Sequence, residues 1–116
     1  MAKKKVSVVI RSAPFSWKTF EALRQAVGSA MEHEIAVIFI RDGVYALTDW
    51  KPQMIGIEPL DKSLEALGMM EAKVIAEEEA LRERGLKLKD WGIEIIKLPK
   101  DDICKVIKDS EVVLTW

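Results

Sequence analysis

Cysteine occurs once in this chain, at Cys104, and histidine once, at His33; asparagine is absent and glutamine is confined to Gln25 and Gln53. A single thiol excludes an internal disulfide framework and any multi-cysteine metal site, and it suits a reducing compartment, so a cytoplasmic location is expected. His33 lies among acids with no second histidine or cysteine at ligand spacing, which makes it a surface residue and leaves no metal to expect. A Ser-His-Asp triad would have to recruit this same histidine, at the wrong end of its strand. Neither GxGxxG nor GxxxxGK[ST] occurs, so no nucleotide cofactor, and no cofactor of any kind, is expected. No apolar stretch approaches the roughly 20 residues of a membrane helix, and Val6 to Ile10 is too short for a secretory core, so no membrane partner is expected. A net charge of -1, from 18 basic and 19 acidic residues, gives no electrostatic footprint for nucleic acid. The one basic run, Lys3-Lys4-Lys5, reads as a solvated tail.

What remains is the composition of a globular protein: 116 residues, 49% hydrophobic and 32% charged. That length closes one core, and a single domain over residues 1–116 is expected. Lysine and glutamate carry most of the charge, a bias reported for proteins of heat-adapted organisms.

Two β-rich apolar runs, Val6 to Ile10 and Ile35 to Ile40, lack polar alternation, the pattern of central strands in a covered parallel sheet. Between them Phe20, Leu23, Val27 and Met31 recur at helical spacing and Ser16 can cap the start, which makes a βαβ unit. Asp42 to Pro59, broken by Gly43, Pro52, Gly56 and Pro59, is a connection with at most a helical turn around Val44 to Leu47. Leu60, Leu64 and Leu67 mark a short helix, capped by Asp61 and stopped by Gly68.

Ala72 to Gly85 reads either as one helix or as a strand, Ala72 to Ala76, delivering the chain to a helix at Glu77. Propensity favours the first. The nearness of Gly68, and three acids where the helix dipole welcomes them, favour the second. Ile93 to Leu98, opened by Gly92 and closed by Pro99, alternates partially and suits a position nearer the sheet edge. A helix with the stripe Ile103, Val106 and Ile107 and a terminal strand, Glu111 to Trp116, complete the chain. The fold expected is α/β, a three-layer sandwich around a mostly parallel five-stranded sheet.

Ligand crevices in such sheets lie beyond the carboxyl ends of the strands, so the candidate pocket is Ser12, Pro14, Phe15 and Trp17 after the first strand, Asp42 and Gly43 after the second, and Glu77 after the third. Each has a plainer role beside the functional one: a capped turn with aromatics covering the core edge, and acids paired with a helix dipole. Cys104 falls one position off the stripe of the last helix and is expected as a half-buried small apolar residue.

The ordered set Ser12-Ala13-Pro14, Ile40-Arg41-Asp42-Gly43-Val44 and Ala80-Leu81-Arg82-Glu83-Arg84-Gly85-Leu86 resembles the DsrE/DsrF-like family, nearest its DsrF/TusC branch of sulfur-relay proteins, over nearly the whole chain. The resemblance implies a strand at Ala72 to Ala76, followed by the helix that carries the R-x-R-G sequence. In sulfur-carrying members a persulfide-forming cysteine opens that helix, and the matching position here is at or near Glu77, with no cysteine from Ala72 to Leu81. A carboxylate cannot take up sulfane sulfur by thiol exchange, whose nucleophile is a thiolate. The resemblance therefore implies a non-catalytic or repurposed subunit, in a homo-oligomer or beside cysteine-bearing relatives. The alternative is a small-molecule binding domain or enzyme using the strand-end pocket. The connection Trp50 to Ile57 and the pair Met69-Met70 place apolar residues where a monomer ordinarily keeps polar ones, so burial between identical chains is expected.

Overall fold

Val6 to Ile10 is buried along its whole length because helices cover both faces of the strand it forms. The computed structural model describes residues 3–116, so residues 1 and 2 of the expected domain lie outside the described residues. The elements are β1 (Lys5–Ile10), α1 (Trp17–Ala30), β2 (Glu34–Phe39), two 3-10 segments (Arg41–Leu47 and Pro52–Ile55), α2 (Asp61–Met69), β3 (Lys73–Glu77), α3 (Glu78–Glu83), β4 (Ile96–Leu98), α4 (Lys100–Lys108) and β5 (Val112–Thr115). The sheet order is β4-β3-β2-β1-β5, and every pairing is parallel.

This order explains the layers. The chain steps from β1 to β4 in one direction, and right-handed crossovers put α1, α2 and α3 on one face. There Val8, Val37, Val74 and their neighbours meet Leu23, Leu64, Leu67 and Leu81 in the larger core. The step from β4 back to β5 runs the other way, so α4 lies on the opposite face, where Ile103 packs on Val9, Ile38 and Ile75. Both ladder faces are thus apolar in the three inner strands, as the unbroken runs require.

Local details depart from expectation in physically readable ways. Lys5 opens β1 and Lys4 already bonds Glu34 N–H through its carbonyl, so the basic run is exposed but only partly a tail. Ser16 caps α1 by accepting the Lys18 N–H at 3.4 Å, but the buried stripe is Thr19, Ala22, Leu23 and Ala26, and Met31 is exposed. Small residues face the sheet because a helix lying across parallel strands needs close approach. Asp61 is the first helical residue of α2 rather than its cap, and its carboxylate lies 3.9 Å from Lys89 Nζ. Gly68 does not stop α2, which runs on to Met69; a Cβ there would overlap the Ile93 side chain, so this glycine makes room for the segment entering β4. The turn is made by Glu71 in the left-handed region at φ 61. Strand four is only Ile96–Leu98, shorter than expected, and it is an edge.

α4 has no side-chain cap of its own, since Pro99 precedes it. Glu79 of α3 serves instead: the Lys100 N–H donates to its Oε1 and Oε2 at 2.9 and 3.0 Å. That bond, aided by Glu79's own backbone N–H and by the Arg82 and Lys100 charges, holds the carboxyl below its ordinary pKa. A depressed folded-state pKa stabilises above the unfolded value and is lost as pH falls through the folded one. An NMR titration should therefore find the Glu79 carboxyl midpoint below that of a peptide glutamate. In Glu79→Gln the acid-side loss of stability should be smaller than in the wild type; an unchanged acid limb would refute this cap.

Candidate functional site

The carboxyl ends of β1, β2 and β3 meet through backbone rather than through side chains. Gly43, in the 3-10 segment after β2, sits so close to the end of β1 that a Cβ would overlap the Ile10 carbonyl oxygen and lie 3.0 Å from its carbon. The same carbonyl accepts the Ile40 N–H at 3.0 Å. Only a residue without a side chain lets the turn after β2 lie on β1.

Arg41 makes that turn with φ 50, in the left-handed region that costs most residues about 1–2 kcal/mol. Its N–H is directed at β3, where Glu77 Oε1 accepts it at 3.0 Å. Glu77 is the last residue of β3 and the N-cap of α3, and it is 8% exposed. A strand, not a continuous helix, therefore carries it, and α3 begins at Glu78, one residue later than expected. Next to this bond Asp42 is held by Arg84, whose Nε and Nη2 donate to Oδ1 at 3.2 and 3.0 Å. Arg84 is the second arginine of the R-E-R-G sequence, so that sequence ties α3 to the turn after β2.

The first-strand residues spread out. Pro14 is buried, and Ser12 is half-buried with its N–H 3.4 Å from the Trp116 carbonyl, which also accepts the Arg11 N–H at 2.9 Å. Phe15 is exposed on one side and packs against Tyr45 and Trp50 on the other, with ring centroids 6.3 and 5.7 Å apart. Trp17 is exposed. The structure thus brings Gly43, Asp42 and Glu77 onto the ends of β1 and β3 and makes Phe15 part of an aromatic cluster beside them, while Trp17 points away into solvent.

Several participants escaped the sequence reading. Arg41 was legible only as part of the Ile40-Arg41-Asp42-Gly43-Val44 string, because a left-handed arginine has no sequence signature of its own. Arg84 was legible only as part of the R-E-R-G string. Tyr45 and Trp50 had no marked partner until Phe15 reached them. Cys104, expected half-buried, is exposed on α4. His33 is half-buried between α1 and β2 and accepts the Lys4 N–H at 3.2 Å. Among the described residues no three His, Cys, Asp or Glu side chains gather to hold a metal, and no helix is long and apolar enough to cross a membrane.

The DsrE/DsrF-like family model matches residues 4–116. The chain belongs to the DsrE/DsrF-like family. Among solved structures it is similar to the YchN protein of E. coli, with a TM-score of 0.81 and 22% identity over 97% of this chain and 99% of that one. It is also similar to BT1422, a conserved protein of unknown function from Bacteroides thetaiotaomicron, with a TM-score of 0.69 and 12% identity over 97% of this chain and 95% of that one. At these identities both likenesses bear on the fold alone. No curated protein matches the chain significantly. In this DsrE/DsrF-like chain the strand ends offer hydrogen-bonded carboxylates and exposed Arg11 and Arg41, neither of them in an ion pair among the described residues. Such a set can lock a loop and attract an anionic or acidic surface. It supplies no sulfur nucleophile.

Proposed function

We propose that this chain is a non-catalytic subunit of a DsrE/DsrF-like assembly, pairing with itself or with cysteine-bearing relatives, and that Glu77 holds its strand-end site shut where a sulfur-carrying member would present a thiol. The observation that carries the reading is the Glu77 bond to the Arg41 N–H: the carboxylate is buried and already spent on the backbone of the neighbouring loop. Asp42 is likewise engaged, by Arg84, and remains exposed rather than lining an enclosed chamber, which weakens the reading as a small-molecule enzyme. Exposed Phe15, Trp17, Met54 and Ile55 supply apolar surface of the kind a partner covers.

The experiment is incubation with a sulfane-sulfur donor such as inorganic polysulfide, followed by intact-mass measurement. In a competent acceptor a cysteine thiolate attacks the donor's terminal sulfur, that S–S bond breaks, and the shortened polysulfide leaves with the electron pair, so the protein gains one sulfur and no oxidant is consumed. Wild-type protein should gain none at near-stoichiometric yield, because Cys104 is remote from the strand ends on the face-covering helix α4. Glu77→Cys in a Cys104→Ser background should gain one sulfur per chain, since the shorter side chain withdraws the carboxylate from the Arg41 N–H and leaves a thiolate in its place at the strand end. A near-stoichiometric persulfide on wild-type Cys104 would overturn the proposal, and an inert Glu77→Cys variant would overturn the matching of Glu77 to the sulfur-acceptor position.

A further inference from the structure

The β4 edge of the sheet changes sign along its length. At the amino ends of the strands, between the end of α2 and the chain entering β4, a groove of about 510 Å³ carries Glu65, Glu71 and Glu94. Towards the carboxyl ends, between α3 and β4, a second groove of about 380 Å³ carries Arg82, Lys87 and Lys97. Lys97 belongs to it because Ile96 and Leu98 pack on the α4 side of the sheet, which turns the residue between them towards α3. Each groove also holds one charge of the other sign, Lys73 in the acidic groove and Glu78 in the basic one. All of these charged residues are exposed, and among the described residues none is in an ion pair. Apolar surface accompanies them. Leu81, Leu86 and Leu88 line the basic groove, and Met69, 79% exposed, stands beside the acidic one.

We infer that two copies of this chain meet along the β4 edge about a two-fold axis normal to the sheet, so that the acidic groove of each faces the basic groove of the other. The occupant follows from the charge pattern. Two sheets can meet edge to edge about a two-fold axis in two ways. An axis along the strands opposes amino end to amino end, and therefore like charges to like. An axis normal to the sheet runs the edges antiparallel and opposes three carboxylates to three cations, with Lys73 set against Glu78, and symmetry repeats the match at the other end. A foreign acidic segment would satisfy one groove and leave the other bare; a second copy of this chain satisfies both at once. The long side chains of Arg82, Lys87 and Lys97 reach across to the acids, and Met69 has the flexibility to seat among the partner's leucines. The two β4 strands form no ladder across the axis, since a three-residue edge with a lysine at its centre and Pro99 behind it resists pairing. The contact is therefore made by side chains. This inference rests on the self-association in the proposed function and names its surface.

The test is charge reversal followed by mixing, read as the mass from light scattering at high micromolar concentration and low salt. Single surface pairs contribute little, so two charges are reversed together. Lys87→Glu with Lys97→Glu makes both ends of the edge acidic, and Glu65→Lys with Glu94→Lys makes both ends basic. Each variant alone should show half the wild-type mass. Mixed in equal amounts they should regain it, because each end of one then faces its complement on the other, a recovery that misfolded chains would not give. Lys18→Glu with Lys108→Glu shifts the net charge equally but lies in neither groove, and it should keep the wild-type mass. Unchanged masses for the two edge variants, halved masses that mixing does not restore, or a control that falls with them would overturn the seam. If the wild type is an oligomer in those cases, the assembly reading stands on another surface. A wild type that scatters as a single 13.1 kDa species would overturn the seam and leave the assembly reading to cysteine-bearing relatives alone.

Discussion

Gly43→Ala should lower stability by about 3 kcal/mol, at the upper end of overpacking, and the melting temperature by roughly 10 °C. The added Cβ meets the Ile10 carbonyl, which belongs to a central strand and is itself bonded to Ile40, so no side-chain rotation can relieve the overlap. Either the 3-10 segment lifts from β1 or the strand end frays. Both would expose Val44, Ala46 and Leu47, which are fully buried. Gly28→Ala is the matched control, since a Cβ there meets nothing within 4 Å and alanine is favoured over glycine within a helix. Thermal or urea unfolding of the pair checks the expectation. Equal midpoints would mean that the turn after β2 does not rest on β1.

Glu77→Ala should cost about 2 kcal/mol and should raise amide exchange most sharply at Arg41, whose N–H loses its acceptor in a largely buried position. Glu77→Gln should retain most of the stability, because a carbonyl oxygen remains where Oε1 stands, and the remaining loss of about 1 kcal/mol or less reflects the exchange of a charged acceptor for a neutral one. Arg41→Gly works in the opposite direction: it removes the left-handed penalty while keeping the N–H, and should stabilise by up to about 1 kcal/mol. Unfolding midpoints for the three variants, with exchange measured at Arg41, check the set. If Glu77→Ala proved neutral and Arg41 exchange unchanged, the carboxylate would not be the lock of the site, and the reading of this chain as a closed relative of sulfur carriers would lose its main support.

The same two residues show where reading a sequence succeeds and where it stops. Glu77 was legible as the residue at the end of the third strand because a short apolar run, Val74 to Ala76, ends at three acids, a local pattern that the strand Lys73–Glu77 bears out to within a residue. Its partner was not legible, because Arg41 is 36 residues away and its N–H turns towards β3 only when the chain adopts φ 50. Gly68 shows the converse error. A glycine after an apolar helical stripe looks like a stop, yet here it is a socket for Ile93, a contact that exists only when the segment before β4 comes back to α2.

The amino-acid sequence by itself determined the strand-helix alternation, the five strands and the membership in the DsrE/DsrF-like family, because these rest on short-range patterns and an ordered set of motifs. It determined equally that the only thiol of the chain lies on the last helix. Tertiary structure alone decided the order β4-β3-β2-β1-β5, and with it which strands are edges. Val112 to Leu114 reads as apolar a run as Val6 to Ile10, but one is covered on both faces and the other stands open. The difference lies in where the last crossover returns to the sheet: α4 packs on the inner strands and lays β5 outside β1, at an edge, and nothing local to the strand records that.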